Sequence, residues 1–79
     1  MDSKVYVIKT FRGYDEIVGE ENAVSTAKDM IMDIITDGIS ADFWWAVILS
    51  RTTGSMKYFI ECPMIGIWNV QKSLGILYK

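Results

Sequence analysis

The run FWWAVIL, Phe43 to Leu49, is apolar at all seven positions, and it constrains the fold more than any other segment. It is far too short to cross a membrane as a helix, which takes about 20 residues. Turn signals bound it on both sides, with Arg51–Ser55 (RTTGS) following directly, so it reads as a strand rather than a helix. In a strand, Phe43, Trp45, Val47 and Leu49 point one way, and Trp44, Ala46 and Ile48 point the other. Both faces are apolar, which places this strand in the middle of a sheet with cover on each side.

The rest of the chain supplies one helix for that purpose. From Ala23 to Asp37 the apolar residues Val24, Ala27, Ile31 and Ile34 recur at helical spacing, flanked by Ala23, Met30 and Ile35. Asn22 suits the N-cap, Glu20 and Glu21 suit the positive end of the helix dipole, and Gly38 suits the C-terminal stop. Lys4–Phe11 alternates Val5, Val7, Lys9 and Phe11 against Lys4, Tyr6, Ile8 and Thr10, and reads as a first strand. A turn at Arg12-Gly13, where Gly admits positive φ, returns Tyr14–Val18 as an edge strand carrying Asp15 and Glu16. Met56–Cys62 forms a hairpin with the apolar run. Pro63 ends or bulges it, and Met64–Val70 and Leu74–Tyr78 read as further strands around a turn at Gln71–Ser73.

The expected fold is therefore α+β: one domain over residues 1–79, with a small, mostly antiparallel sheet of five to six strands. One helix packs on one face, in the order ββ-α-ββ with C-terminal strands. One helix of about 15 residues, about 22 Å long, shields one side of a small sheet. The other side carries one of the two apolar sets of the FWWAVIL strand. Either it makes a protein contact, with Trp44, Ala46 and Ile48 as the candidate oligomer face, or the sheet curls and the C-terminal strands close over it.

Charge is distributed as unevenly as hydropathy. Gly13–Ser50 holds eight acids against Lys28 alone, whereas the flanking segments are net basic, and the overall charge is −2. On the helix, Asp29, Asp33 and Asp37 recur at i, i+4 and i+8, away from the apolar stripe. Like charges at this spacing repel, and the last two sit at the negative end of the dipole. Met32 lies on the same polar side. This is a solvated, solubilising face, or it is a contact surface in which carboxylates meet Lys or Arg of a partner and Met32 makes an adaptable apolar contact. Asp15, Glu16, Glu20 and Glu21 form a second acidic candidate patch. A row of carboxylates also mimics phosphates, so the expected partner is a protein with a basic, nucleic-acid-binding surface.

Catalytic chemistry has little to build on. There is no His, a single Cys (Cys62, in an apolar segment), and no Gly-rich phosphate loop. The reading is non-enzymatic, with no cofactor, no metal site and no catalytic residue. The single Cys fits a reducing compartment, and no long apolar N-terminal segment suggests secretion, so the expected location is cytoplasmic. The alternatives are a homo-oligomeric structural or regulatory subunit joined through the open sheet face, and a single-stranded nucleic-acid binder using Tyr58, Phe59 and Trp68 with Lys57 and Arg51.

The order of elements carries a resemblance. An N-terminal hairpin, the acidic Glu20-Glu21, Asn22-Ala23-x-x-x-Ala27-Lys28 opening a helix, then an aromatic strand and hairpin resemble small phage-encoded inhibitors of host machinery, anti-CRISPR proteins and phage inhibitors of host polymerase among them. The likeness covers nearly the whole chain as architecture and Asn22–Lys28 as sequence. The FWWAVIL strand and the apolar C-terminal third depart from it. It implies an inhibitor that acts by occlusion in a host cytoplasm, and it carries over no functional residue.

Overall fold

A computed structural model describes residues 3–73. The elements run β1 (Val5–Thr10), β2 (Tyr14–Val18), α1 (Glu20–Thr36), β3 (Trp44–Ser50), β4 (Met56–Met64) and β5 (Ile67–Lys72). The five strands form one antiparallel sheet in the order β2-β1-β3-β4-β5, with α1 packed on one face. The α+β architecture expected from the pattern is the one observed, and β3, built from the FWWAVIL run, occupies the centre of the sheet. No helix among the described residues is long and apolar enough to cross a membrane.

Residues of the covered face come from one phase of every inner strand. Tyr6 and Ile8 of β1, Ala46 and Ile48 of β3, and Ile60 and Cys62 of β4 meet Ala23, Ala27 and Ile31 of α1 in a closed core. Ile34, fully buried one turn further along α1, continues the same stripe. Ala23, Ala27 and Ala46 are all fully buried; their small side chains let the helix backbone approach the middle of the sheet. Cys62 is part of this packing, and its thiol donates to the Met64 carbonyl at 3.1 Å.

Three local expectations are corrected. Asn22 does not cap the helix. α1 starts three residues earlier, at Glu20, with Gly19 as N-cap at φ 94° and ψ 135°. That backbone geometry is open to Gly and strained for other residues. It lets the Gly19 amide close the strand end on the Lys4 carbonyl while the Gly19 carbonyl accepts from Ala23, both at 2.9 Å. Asn22 instead sits in the first turn, and its Nδ2 donates back to the Val18 carbonyl at 3.0 Å. Second, Met64–Val70 is not one strand. β4 runs through Pro63 by means of a register shift between Glu61 and Met64, and the chain reverses at Ile65-Gly66, with Gly66 at φ 89°. Gln71 and Lys72, expected in a turn, belong to β5. The strand expected at Leu74–Tyr78 lies outside the described residues. Third, the β1–β2 turn closes without positive φ at Gly13, through the Thr10 amide on the Gly13 carbonyl at 2.9 Å. The helix C-terminus follows expectation. Gly38 donates to Ile35 and Ile39 donates to Ile34 in a Schellman arrangement.

Candidate binding surfaces

The first surface is the solvent side of α1. Its buried stripe is Ala23, Ala27, Ile31 and Ile34. Residues four apart advance about 40° around a helix of 3.6 residues per turn. Asp29 therefore points away from the sheet, Asp33 leans toward one flank, and Asp37 comes round to the β1–β2 hairpin. There it forms an ion pair with Arg12, both partners about half exposed. No ion pair among the described residues reaches Asp29 or Asp33. Met32 is 36% exposed beside them. The cations nearest this side are engaged elsewhere. Besides Arg12 on Asp37, Lys28 lies 5.8 Å from the centre of the Trp68 ring, and Lys72 sits 3.8 Å from Glu20 and 5.8 Å from the Tyr58 ring centre. Asp29 and Asp33 thus project an uncompensated negative field.

The second expected acidic patch is divided by the pleat. Asp15 pairs in register with Ile8 of the core and so stands on the helix side, whereas Glu16 pairs with Val7 and stands on the opposite face. Glu16 is held there by Arg51, Nε to Oε2 at 2.7 Å. Glu20 and Glu21 lie in the first turn of α1. They border a shallow groove with Val24, Ser25, Tyr58 and Val70, of about 320 Å³, where the helix stops short of β5. Asp15, Glu20 and Glu21 remain on the helix side with the Asp29–Asp33 pair; Glu16 does not join them.

The second surface is the uncovered face of the sheet, and here the oligomer-face expectation is corrected. Trp44, Ala46 and Ile48 face the helix: Ala46 and Ile48 are fully buried in the core and Trp44 packs against it, with its indole N–H on the Ile39 carbonyl at 3.1 Å. The open face carries the other phase. In register across it stand Val7 and Leu49, then Lys9, Val47, Phe59 and Gln71, then Trp45, Glu61 and Asn69. Phe11 extends the aromatic part, its ring centre 5.0 Å from that of Trp45. Val5, Val7, Trp45, Val47, Leu49 and Phe59 are only half-buried.

The sequence leaves open which phase the helix covers, and the set Trp44, Ala46 and Ile48 proves to be the covered one. A signal was present. On β4 the covered phase, Tyr58, Ile60 and Cys62, has no charge, whereas Lys57, Phe59 and Glu61 carry two. Carrying that phase to β3 needs the pairing Ala46 with Ile60, and a register shift between Ile48 and Leu49 separates it from the hairpin loop.

No protein-family model matches the chain, and neither a curated protein nor a solved structure matches it.

Proposed function

We propose that the chain is a non-enzymatic protein-binding module whose acidic helical side occludes a basic, nucleic-acid-binding surface of a partner, as a phage- or mobile-element-encoded inhibitor does in a host cytoplasm. One observation carries this reading. Asp29 and Asp33 are exposed on α1 without an ion pair among the described residues, while Arg12, Lys28 and Lys72 are each engaged elsewhere. Their carboxylates retain hydrogen-bond capacity for Lys and Arg of a partner, and the field they project steers a basic surface toward the helix. Asp15 and Glu21 widen that field, Lys72 offsets Glu20 at 3.8 Å, and Met32 supplies an apolar contact that adapts to the partner.

The test is a salt titration. Partners captured from host lysate on the immobilised chain are purified, and their affinity is measured at about 50 and 300 mM salt for wild type and for Asp29→Asn/Asp33→Asn. The expected partner has a basic surface, loses affinity with salt, and binds the double variant about 10-fold or more weakly. Affinity indifferent to both salt and the double substitution refutes the acidic side as the contact.

A further inference from the structure

We infer that the uncovered sheet face is the contact between two copies of this chain, packed sheet to sheet. The inference goes beyond the acidic helical surface, which lies on the other side of the molecule, and it rests on area, charge and strand order.

The molecule measures 33 × 27 × 19 Å. The thin axis matches one sheet and one helix layer about 10 Å apart, so the two long axes span the sheet. Those two axes, loops included, set an upper bound on the face near the ~800 Å² per partner of a standard specific interface. Its centre has the composition of an interface core, with Trp45 and Phe59 as anchors among Val7, Val47 and Leu49.

The charges on this face are of mixed sign, Lys9, Lys57 and Arg51 against Glu16 and Glu61, unlike those on the acidic helix side. Glu16 and Arg51 already pair at the rim. Lys9, Lys57 and Glu61 stand among the apolar side chains and form no ion pair with one another. An isologous contact needs a surface that complements itself, and the strand order provides one. β3 is the central strand, so a two-fold axis in the contact plane along β3 lays β1 over the partner's β4. Lys9 and Phe59 are both level with Val47, and Glu61 is level with Trp45, two residues along. Lys9 therefore comes to lie over the partner's Phe59, one pleat from the partner's Glu61, within reach of its four-carbon stem. The axis repeats the pair, so each dimer forms it twice. Such an arrangement keeps the strands of the two sheets nearly aligned, as sandwich packing prefers. A single-stranded nucleic acid is the other occupant suggested by Trp45, Phe59, Lys9 and Lys57. The aliphatic half of the face, Val5, Val7, Val47 and Leu49, offers bases no stacking partner, and that favours protein.

Sedimentation equilibrium on the full chain from about 1 to 200 μM tests this, with circular dichroism to verify folding. Wild type is expected at twice the 9.0 kDa chain mass over most of this range, with little change between about 50 and 500 mM salt. Val47→Glu puts a charge at the centre without touching the core, and is expected to weaken the dimer about 30-fold or more. Lys9→Glu and Glu61→Lys each weaken it about 10-fold, and the two combined in one chain recover most of the loss. A wild-type mass of one chain at 200 μM overturns the inference without requiring any variant to fold. A dimer unaffected by Val47→Glu overturns it as well. A monomer that binds a 15-nucleotide single strand, and loses that binding on Trp45→Ala, assigns the face to nucleic acid. The Asp29→Asn/Asp33→Asn variant keeps the wild-type mass throughout, so failure of either surface is separable from failure of the other.

Discussion

Asp33 and Asp37 are equivalent in sequence, each an aspartate near the end of α1, yet their neutralisation should have different effects on stability. Asp33→Asn removes repulsion from Asp29 and Asp37, about 0.2–0.5 kcal/mol per pair, the second discounted because Arg12 already compensates Asp37. It also removes an anion from the last helical turn, worth about 0.3–1 kcal/mol. Asparagine and aspartate have similar helix propensities. The sum is a gain of about 1 kcal/mol, or about 4–8 °C in Tm for a domain of this size. Asp37→Asn relieves one repulsion and the same unfavourable end of the dipole, but it breaks the exposed ion pair with Arg12, worth about 0.2–1 kcal/mol. These contributions cancel to within about 0.5 kcal/mol. Thermal unfolding by circular dichroism at about 20 mM salt, at a single protein concentration, measures both. The Asp33→Asn gain should shrink at 1 M salt, where the Debye length is about 3 Å. If Asp33→Asn lowers Tm at low salt, then Asp33 has a compensating partner and the uncompensated helical field does not exist; if both variants gain equally, the Arg12–Asp37 pair contributes nothing.

Two further outcomes test the fold that presents these surfaces. Ile31→Ala, at the centre of the covered face and fully buried, should cost about 2–4 kcal/mol by urea unfolding, whereas a cost under 1 kcal/mol means the helix packs elsewhere. Gly19→Ala, at φ 94°, should cost about 1–2 kcal/mol in the same assay with the helical circular-dichroism signal retained; a neutral effect is incompatible with that backbone conformation.

Hydropathy made most of the architecture readable because the rules involved are local. The 3.6-residue spacing of Ala27, Ile31 and Ile34 sets the helix, the doubly apolar β3 demands a central place, and Gly38 ends α1 as its conformational freedom allows. What stayed hidden depends on contacts distant in sequence. Asn22 is a good N-cap by residue type, but the hydrogen bond between the Gly19 amide and the Lys4 carbonyl fixes where β2 must end, and the helix begins there. Pro63 suggested the end of β4; a bulge absorbs it, and the turn moves on to Ile65-Gly66. For the candidate surfaces, the row Asp29, Asp33, Asp37 was visible as periodicity. That Arg12 takes Asp37 out of it was not, since 25 residues separate the pair. Strand alternation already separates Asp15 from Glu16; which of them shares the helix side is fixed only once β2 is paired with β1.

The two surfaces also explain each other's composition. A helix that faced a second layer could not carry Asp29 and Asp33 unpaired, because burying them would cost several kcal/mol per ion. A sheet face left in water has no reason to concentrate Trp45, Val47, Leu49 and Phe59 on adjacent strands. Packed sheet to sheet, with layers about 10 Å apart, two copies place their α1 axes about 30 Å from one another on opposite outer sides. Both acidic rows then stay in solvent and far beyond a Debye length apart, so neither repels the other. In the proposed dimer each row would meet a partner independently, with the apolar face setting how many copies act together and the acidic helix setting what each one holds.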